Sequence, residues 1–225
     1  PRHFAVQYAI NPWMNPDRPV DVDLAREQWQ ELIRVYRAHG HTVDAVEPVP
    51  GLPDMVFAAN AACVVGGRVF GSLFHAPERR PESLHYDTWF KTAGYTVYRP
   101  EAVSEGEGDL VWTGRYVLAG TGFRTTREAH REAQEFLGHP VIGLTLVDPY
   151  FYHLDTALFV LDDANVCYYP EAFSPGSREV LRRLFPDAVE ATREDAMSWG
   201  LNSVSDGRHV FIAPQAEALS ARLAD

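Results

Sequence analysis

What the 225-residue chain has little of already narrows its class. No stretch approaches 18 uncharged apolar residues, so no membrane-spanning helix is expected. Its opening segment, PRHFAVQYAI, has neither the long apolar core nor the small-residue cleavage site of a secretory signal. It holds two cysteines, Cys63 and Cys167, both inside apolar runs and without metal-ligand spacing. That argues against a disulfide framework and fits free core thiols in a reducing, cytoplasmic setting. Basic residues are outnumbered, 20 Lys+Arg against 31 Asp+Glu, for a formal charge of −11. A nucleic-acid binder normally carries the opposite balance. Low-complexity sequence is absent too. What is there is 46% hydrophobic and 12% aromatic, enough to fill the core of a single domain spanning 1–225.

The chain repeats itself. Segments 58–74, 107–123, 153–173 and 200–214 each begin near a polar residue, Asn60, Asp109, Asp155 and Asn202, which recurs every 46–49 residues. A short apolar run, a turn rich in Gly, Asp or Asn and a second apolar run follow, the signature of a β-hairpin. Each hairpin leads into a helical stretch: 81–94, 125–138, 174–185 and 215–225. Short β-like segments come next at 95–100, 139–147 and 188–194. The N-terminus fits the same unit without its first strand: 3–13 as a strand, 23–40 as an amphipathic helix, 41–48 as the closing strand. One partial unit, three full ones and a truncated fifth predict an α/β propeller of five pseudosymmetric repeats. Closing it calls for roughly 30 residues after Asp225, the rest of one repeat.

The stretch YFYHLDTALFVL (150–161) reads as a buried strand, which would aim His153 and Asp155 at one face. Alone, such a pair is explained as hydrogen-bonded structure. The repeat adds a second reading. Equivalent positions in a ring face one axis, so Asn60, Asp109, Asp155 and Asn202 are expected around a central pocket. The positions two before them, which include Glu107 and His153, should join them, with Asp54 just upstream. Either this is a polar ring about a water-filled axis, or it is a functional site. In the second case the carboxylates would grip a planar cation such as guanidinium. His153 would act as general acid/base, and Arg124 would bind a carboxylate. Neither cysteine occupies the polar position of a repeat.

The motifs NPWM (11–14), PDMVFAANA (53–61), FHAPERRPE (74–82), EGEGDL (105–110), GTGFRT (120–125), FYHLDT (151–156), YYPEAF (168–173) and LNSV (201–204) run in order over essentially the whole chain. Together they resemble the amidinotransferase, or guanidine-modifying, superfamily, in particular dimethylarginine dimethylaminohydrolases and arginine dihydrolase-like proteins. The resemblance implies a five-fold α/β propeller of the pentein type, its last repeat incomplete here. It implies His153 as catalytic histidine, with Glu107 and Asp109 as acidic residues of the catalytic pocket. Asp54 and Asp155 would bind the guanidino group, Arg124 the substrate carboxylate, and Asn11 would join them. Asn60, where many dimethylaminohydrolases have Asp, leans toward arginine over dimethylarginine; Asn202 completes the expected substrate-binding set. The implied partner is a small cationic guanidino compound, arginine or methylarginine, not nucleic acid or membrane. A homo-oligomer is compatible with this. The implied reaction is hydrolysis through a Cys thiouronium intermediate to citrulline or ornithine, without metal or organic cofactor.

The family nucleophile is a Cys near the C-terminus, after a Gly-rich stretch. It is expected beyond Asp225 with the closing strand, so these 225 residues alone are expected to be inactive. The alternatives are amidino transfer to an amine, or a propeller without a nucleophile that binds a guanidino ligand or a protein partner. Segments 11–22 and 74–82 are candidate lids or plain connectors.

Overall fold

The computed structural model describes residues 1–18 and 20–224. Pro19, within the candidate lid 11–22, and Asp225, at the end of the last predicted helix, lie outside the described residues. Helix α1 (Val22–Ala38) comes first, its N-terminus capped by the Asp21 carboxylate, which accepts the Leu24 N–H at 2.9 Å. Three units of one pattern follow. In the first, β1 (Cys63–Val65) and β2 (Arg68–Phe70) form an antiparallel hairpin. Its turn, Gly66-Gly67, has positive φ at both residues, as a two-residue hairpin turn requires. Helix α2 (Glu82–Thr92) then carries the chain to β3 (Thr96–Tyr98), which pairs parallel with β2.

The second unit repeats this with β4 (Leu110–Trp112), β5 (Val117–Thr121), α3 (Arg127–Leu137) and β6 (Val141–Thr145). The third does so with β7 (Leu158–Val160), β8 (Val166–Tyr168), α4 (Pro175–Leu184) and β9 (Val189–Glu190). Helix α5 (Arg193–Met197), the hairpin of β10 (Val204–Ser205) and β11 (Val210–Phe211), and α6 (Glu217–Ala224) end the chain. The fold is mixed α/β, with small separate sheets. The first strands of successive hairpins, β1, β4, β7 and β10, are neighbours in that order.

The hairpins of the second and third units carry much of the core: Leu110, Leu118, Leu158, Val166 and Cys167 are fully enclosed, and each large apolar side chain so buried contributes about 1.5–3 kcal/mol. Helix α1 is different. None of its residues is buried, and Leu24, Trp29 and Leu32 stay 40–49% exposed. No helix among the described residues is long and apolar enough to cross a membrane.

Three expectations about local structure need correction. Segment 150–161 is not one strand: tight helical turns at Pro149–Phe151 and Leu154–Thr156 precede β7. Pro149 presets the first turn. The second is closed by Ala157 N–H to Leu154 O (2.9 Å) and by the Thr156 hydroxyl, which donates to His153 O at 2.7 Å. The same-face argument for His153 and Asp155 therefore fails. Segments 3–13 and 41–48 are not strands either, because neither has a hydrogen-bonded ladder partner among the described residues. Segment 188–194 is strand only at 189–190, because Thr192 and Asp195 form a reciprocal capping box that starts α5.

The second unit meets the first at Gly106. Its φ is +52°, and a Cβ there would lie 2.5 Å from Ala62 N and 2.7 Å from Ala59 O, both backbone atoms. Gly66 has a similar φ of +56° with open space around it. Gly106→Ala is expected to cost about 2–4 kcal/mol of unfolding free energy, against about 1 kcal/mol for Gly66→Ala. Urea denaturation of the two variants measures the difference, and equal losses would mean the contact is soft.

Candidate active site

A tight turn comes before each of the first three hairpins, at Ala58–Ala61, Gly106–Gly108 and Leu154–Thr156, and the middle one lies against both of the others. They bring Asn60, Asp109 and Asp155 to one place, near the positions the repeat predicts but on turns rather than strands. Gly108 is wedged between Asn60 and His153, where a side chain would collide with the Asn60 amide.

His153 is buried at the centre of this cluster. Its Nε2 is 3.2 Å from Glu105 Oε2, and its Nδ1 is 3.2 Å from Asp109 Oδ2. The second contact is within ion-pair range but off hydrogen-bond alignment, so Nδ1 has no formed hydrogen bond. Both carboxylates are themselves held. Asp109 accepts Leu154 N–H (3.1 Å) and Thr125 N–H (3.2 Å). Glu105 accepts His75 N–H at 2.9 Å and pairs with Arg124 Nη1 at 3.1 Å. Burial pushes the His153 pKa down, but Asp109 and Glu105 outweigh it and raise it to about 10. For Glu105, burial pushes the carboxyl up, yet His153 and Arg124 bring it down to about 2. The group is thus an imidazolium clamped between two carboxylates.

Two buried arginines flank it. Arg124 donates to Ile10 O at 2.7 Å and lies 4.7 Å from the centre of the Tyr152 ring. Arg79, from FHAPERRPE, pairs with Glu82 (2.9 Å), donates to Asn60 Oδ1 (2.7 Å) and Asp54 O (3.2 Å), and sits on the Phe74 ring at 4.4 Å. Asp54 is buried against Arg79 and Tyr8. Burial raises its pKa, which Arg79 counters in part. The Tyr8 hydroxyl and Asp54 Oδ1 perturb one another without forming a hydrogen bond.

The remaining carboxylates lack a cation of their own. Asp155 is half-buried, and burial raises its pKa to about 7 despite His153. Glu107 keeps solvent access though protein crowds it; burial raises it to about 7, and the Val64 N–H offsets this only in part. Among the described contacts it is Glu105, not Glu107, that touches His153. The reading by repeat missed Glu105 because it took the residue two before Asp109; the motif EGEGDL contained the signal but offered two choices. Asn202 is exposed and donates its amide to Asp155 O at 3.2 Å. Asn11 lies at the edge, its side chain accepting Trp13 N–H at 2.9 Å.

Cys63 and Cys167 lie in β1 and β8, both buried; burial pushes both thiols up, Cys167 to about 12. Neither is poised as a thiolate. No group of His, Cys, Asp or Glu among the described residues has metal-holding geometry. A cavity of about 450 Å³ does not contain His153; it lies between the N-terminal residues, α1 and segment 44–58. Its ionisable lining residues, His3, Asp44 and Glu47 among them, are not buried, whereas the charged cluster encloses His153, Glu105 and Asp109 together, and that cluster is the candidate for the chemistry.

Mixed α/β units that converge on an imidazolium amid an excess of carboxylates define a protein built to hold a small cation next to an acid. No family model matches the chain. It is 49% identical over 223 residues to a dimethylarginine dimethylaminohydrolase of Mycobacterium tuberculosis, covering 99% of this chain and 74% of that one. It is 37% identical to the bifunctional arginine dihydrolase/ornithine cyclodeaminase AgrE of Nostoc, covering 99% of this chain but only 33%, about a third, of that relative. Among solved structures, the N-terminal domain of the cyanobacterial arginine dihydrolase ArgZ, a cysteine-to-serine mutant bound to substrate, superposes with a TM-score of 0.91 at 33% identity, over 99% of this chain and 86% of that one. The chain belongs to the family of dimethylarginine dimethylaminohydrolases and arginine dihydrolases, hydrolases that act on guanidino C–N bonds.

The raised His153 pKa has a defined linkage. Its contribution to stability is complete below the ordinary value of 6.5 and is lost as pH rises through about 10. The His153 ring resonances in an NMR titration are expected to show the charged form at pH 8. His153→Gln should flatten the fall in urea midpoint between pH 7 and pH 10; a ring that titrates near 6.5 would mean the two carboxylates do not clamp it.

Proposed function

We propose that this chain is the guanidine-binding and acid/base part of a cysteine-dependent hydrolase that acts on the guanidino carbon of arginine or a methylated arginine, giving ornithine or citrulline. One observation carries this: Asp155, with Glu107 acting on it, stands by a histidine whose charge is already matched by two other carboxylates, and both Asp155 and Glu107 are raised to about 7. Carboxylates held in that state gain from a cation, and guanidinium offers planar paired donors. Asp54 and Asn60 would extend the same wall, while Arg124, Asn11 and Asn202 would hold the far end of the substrate.

In this reading a thiolate attacks the guanidinium carbon. As the C–N bond breaks, His153 gives its proton to the departing amine and a thiouronium adduct remains. His153, now neutral, takes a proton from water; the hydroxide adds to the same carbon and the C–S bond breaks, freeing the thiolate and a ureido product. A second cycle on the ureido carbon would end at ornithine, ammonia and carbon dioxide. Asp109 and Glu105 keep the ring charged and oriented throughout. This chemistry calls for no metal or organic cofactor.

The thiolate is not Cys63 or Cys167, whose burial keeps them protonated. We place it in a segment after Asp225, which would also complete a five-fold propeller containing residues 1–225 as one domain. The succession β1, β4, β7, β10 around a shared centre supports this arrangement. So does the length of the mycobacterial relative, of which this chain covers 74%. A cytoplasmic setting is consistent with two free thiols. The 49% likeness favours methylarginine, whereas Asn60 favours arginine.

Incubating the complete natural protein with arginine and with dimethylarginine, and measuring ammonia, dimethylamine, citrulline and ornithine, decides between them. His153→Ala is expected to lower turnover at least about a hundredfold, while Cys63→Ala leaves it near normal. Calorimetry in buffers of different ionisation enthalpy should show protons released on binding at pH 7. Near-normal turnover of His153→Ala would remove the histidine from its role.

A further inference from the structure

We propose that Trp13 is a positioning residue that acts through Arg124, and that Trp199 is the anchor holding it in place; this rests on the reading of Arg124 as the group that binds the substrate carboxylate. Trp13 is half-buried and joined to two distant segments. Its Nε1 donates to Tyr150 O at 2.9 Å, and its ring meets Tyr150 edge-on at 5.5 Å. On the other side it packs on Trp199, with ring centres 4.5 Å apart. The turn that presents it is short and fixed: Asn11 accepts the Trp13 N–H in its side chain and the Met14 N–H, at 3.3 Å, in its backbone.

The residue before that turn carries the consequence. Ile10 O accepts the Arg124 guanidinium at 2.7 Å, while the other terminal nitrogen of Arg124 pairs with Glu105. Beside the Tyr152 ring, Arg124 is therefore aimed by two polar contacts, one of which is only as steady as the 10–14 turn. Nothing else in the hydrogen bonds of residues 10–14 ties that turn to the body of the molecule.

Trp199 shows that this contact is held rather than incidental. It is the only described non-glycine residue at positive φ, +63°. A glycine normally fills that place after a helix. Here the glycine is next in line, Gly200, where a Cβ would crowd Ala216 at 2.8 Å and Asp195 O at 2.9 Å. The neighbouring α6 thus fixes Gly200, and the tryptophan takes the left-handed conformation. The residue is 37% exposed, so core packing does not explain its size. Strain of this kind persists where surroundings impose it and concentrates near functional sites. Three residues on, Asn202 reaches Asp155.

The test is arginine affinity of the complete natural protein, read as KM with kcat measured beside it, in a double-mutant cycle. Trp13→Ala is expected to weaken binding about tenfold in the wild-type background and to have no further effect once Arg124 is Ala. Additive losses would overturn the proposal. Trp199→Gly is the second variant: it removes the ring and relieves the positive φ. It should keep its Tm within about 3 °C of wild type yet weaken arginine binding; a lower Tm with unchanged affinity would make the contact merely structural and overturn the role. Failure of the unsubstituted protein to bind arginine would sink the parent reading instead, and normal binding by Trp13→Ala would sink only this one.

Discussion

The charge on His153 is what the rest of the site is arranged around. A bare ion taken into a protein interior costs several kcal/mol, and that cost is offset only where partners surround it with good geometry. Here the partners are Glu105 and Asp109, each 3.2 Å from one ring nitrogen. Asp109 is held by the N–H groups of Leu154 and Thr125, and Glu105 by that of His75. His75 comes from the first repeat, Glu105, Asp109 and Thr125 from the second, and His153 and Leu154 from the third. The electrostatic cluster therefore ties three successive units together at the point where their turns meet. Loss of one carboxylate would leave an uncompensated buried charge, a penalty of about 3–5 kcal/mol, and would also loosen the seam between repeats.

The same arrangement explains why the neighbouring carboxylates are not neutralised. Among the described residues, the buried cations of the site already have carboxylate partners: His153 has Glu105 and Asp109, Arg124 has Glu105, and Arg79 has Glu82. Asp155 and Glu107 are left with burial and with each other's field, and burial raises both to about 7. On the proposed reading, these two carboxylates, left unmatched beside a matched histidine, are what a bound cation would satisfy.

Much of the fold was legible in the sequence. The polar residue recurring every 46–49 positions located four hairpins, and their Gly- and Asp-rich turns fixed where each reverses. Helices α1 to α4 were readable from apolar spacing and capping residues. The turns in front of the hairpins were not readable. Segments such as YFYHLDTALFVL have the composition of a strand, while their conformation is set by local i to i+3 hydrogen bonds that leave no period in the sequence. That error carried into the site. Strand logic paired His153 with Asp155 and selected Glu107, whereas a turn places Glu105 against the ring. Arg79 was hidden for a related reason. FHAPERRPE looks like a connector by composition, and only the fold shows that one of its two arginines is enclosed against Asn60 and Glu82. The short α5 escaped because a five-residue helix set by the Thr192–Asp195 capping box has too few positions to show amphipathic spacing.

One tension in the site resolves itself on the proposed reading. A general acid works best with a pKa near the operating pH, because a group that holds its proton too tightly gives it up slowly. His153, raised to about 10, holds its proton too tightly for that. On the proposed reading, a guanidinium bound on Asp155 and Glu107 would add one positive charge while drawing both carboxylates to full ionisation, which adds about one negative charge. The net field at the imidazolium would change little. The proton would instead be drawn off by the departing nitrogen itself, which gains basicity as its C–N bond breaks and becomes an amine of strength comparable to the clamped imidazole. In that reading the two carboxylates that hold His153 match the acid to its leaving group, and no conformational change is required to switch it on.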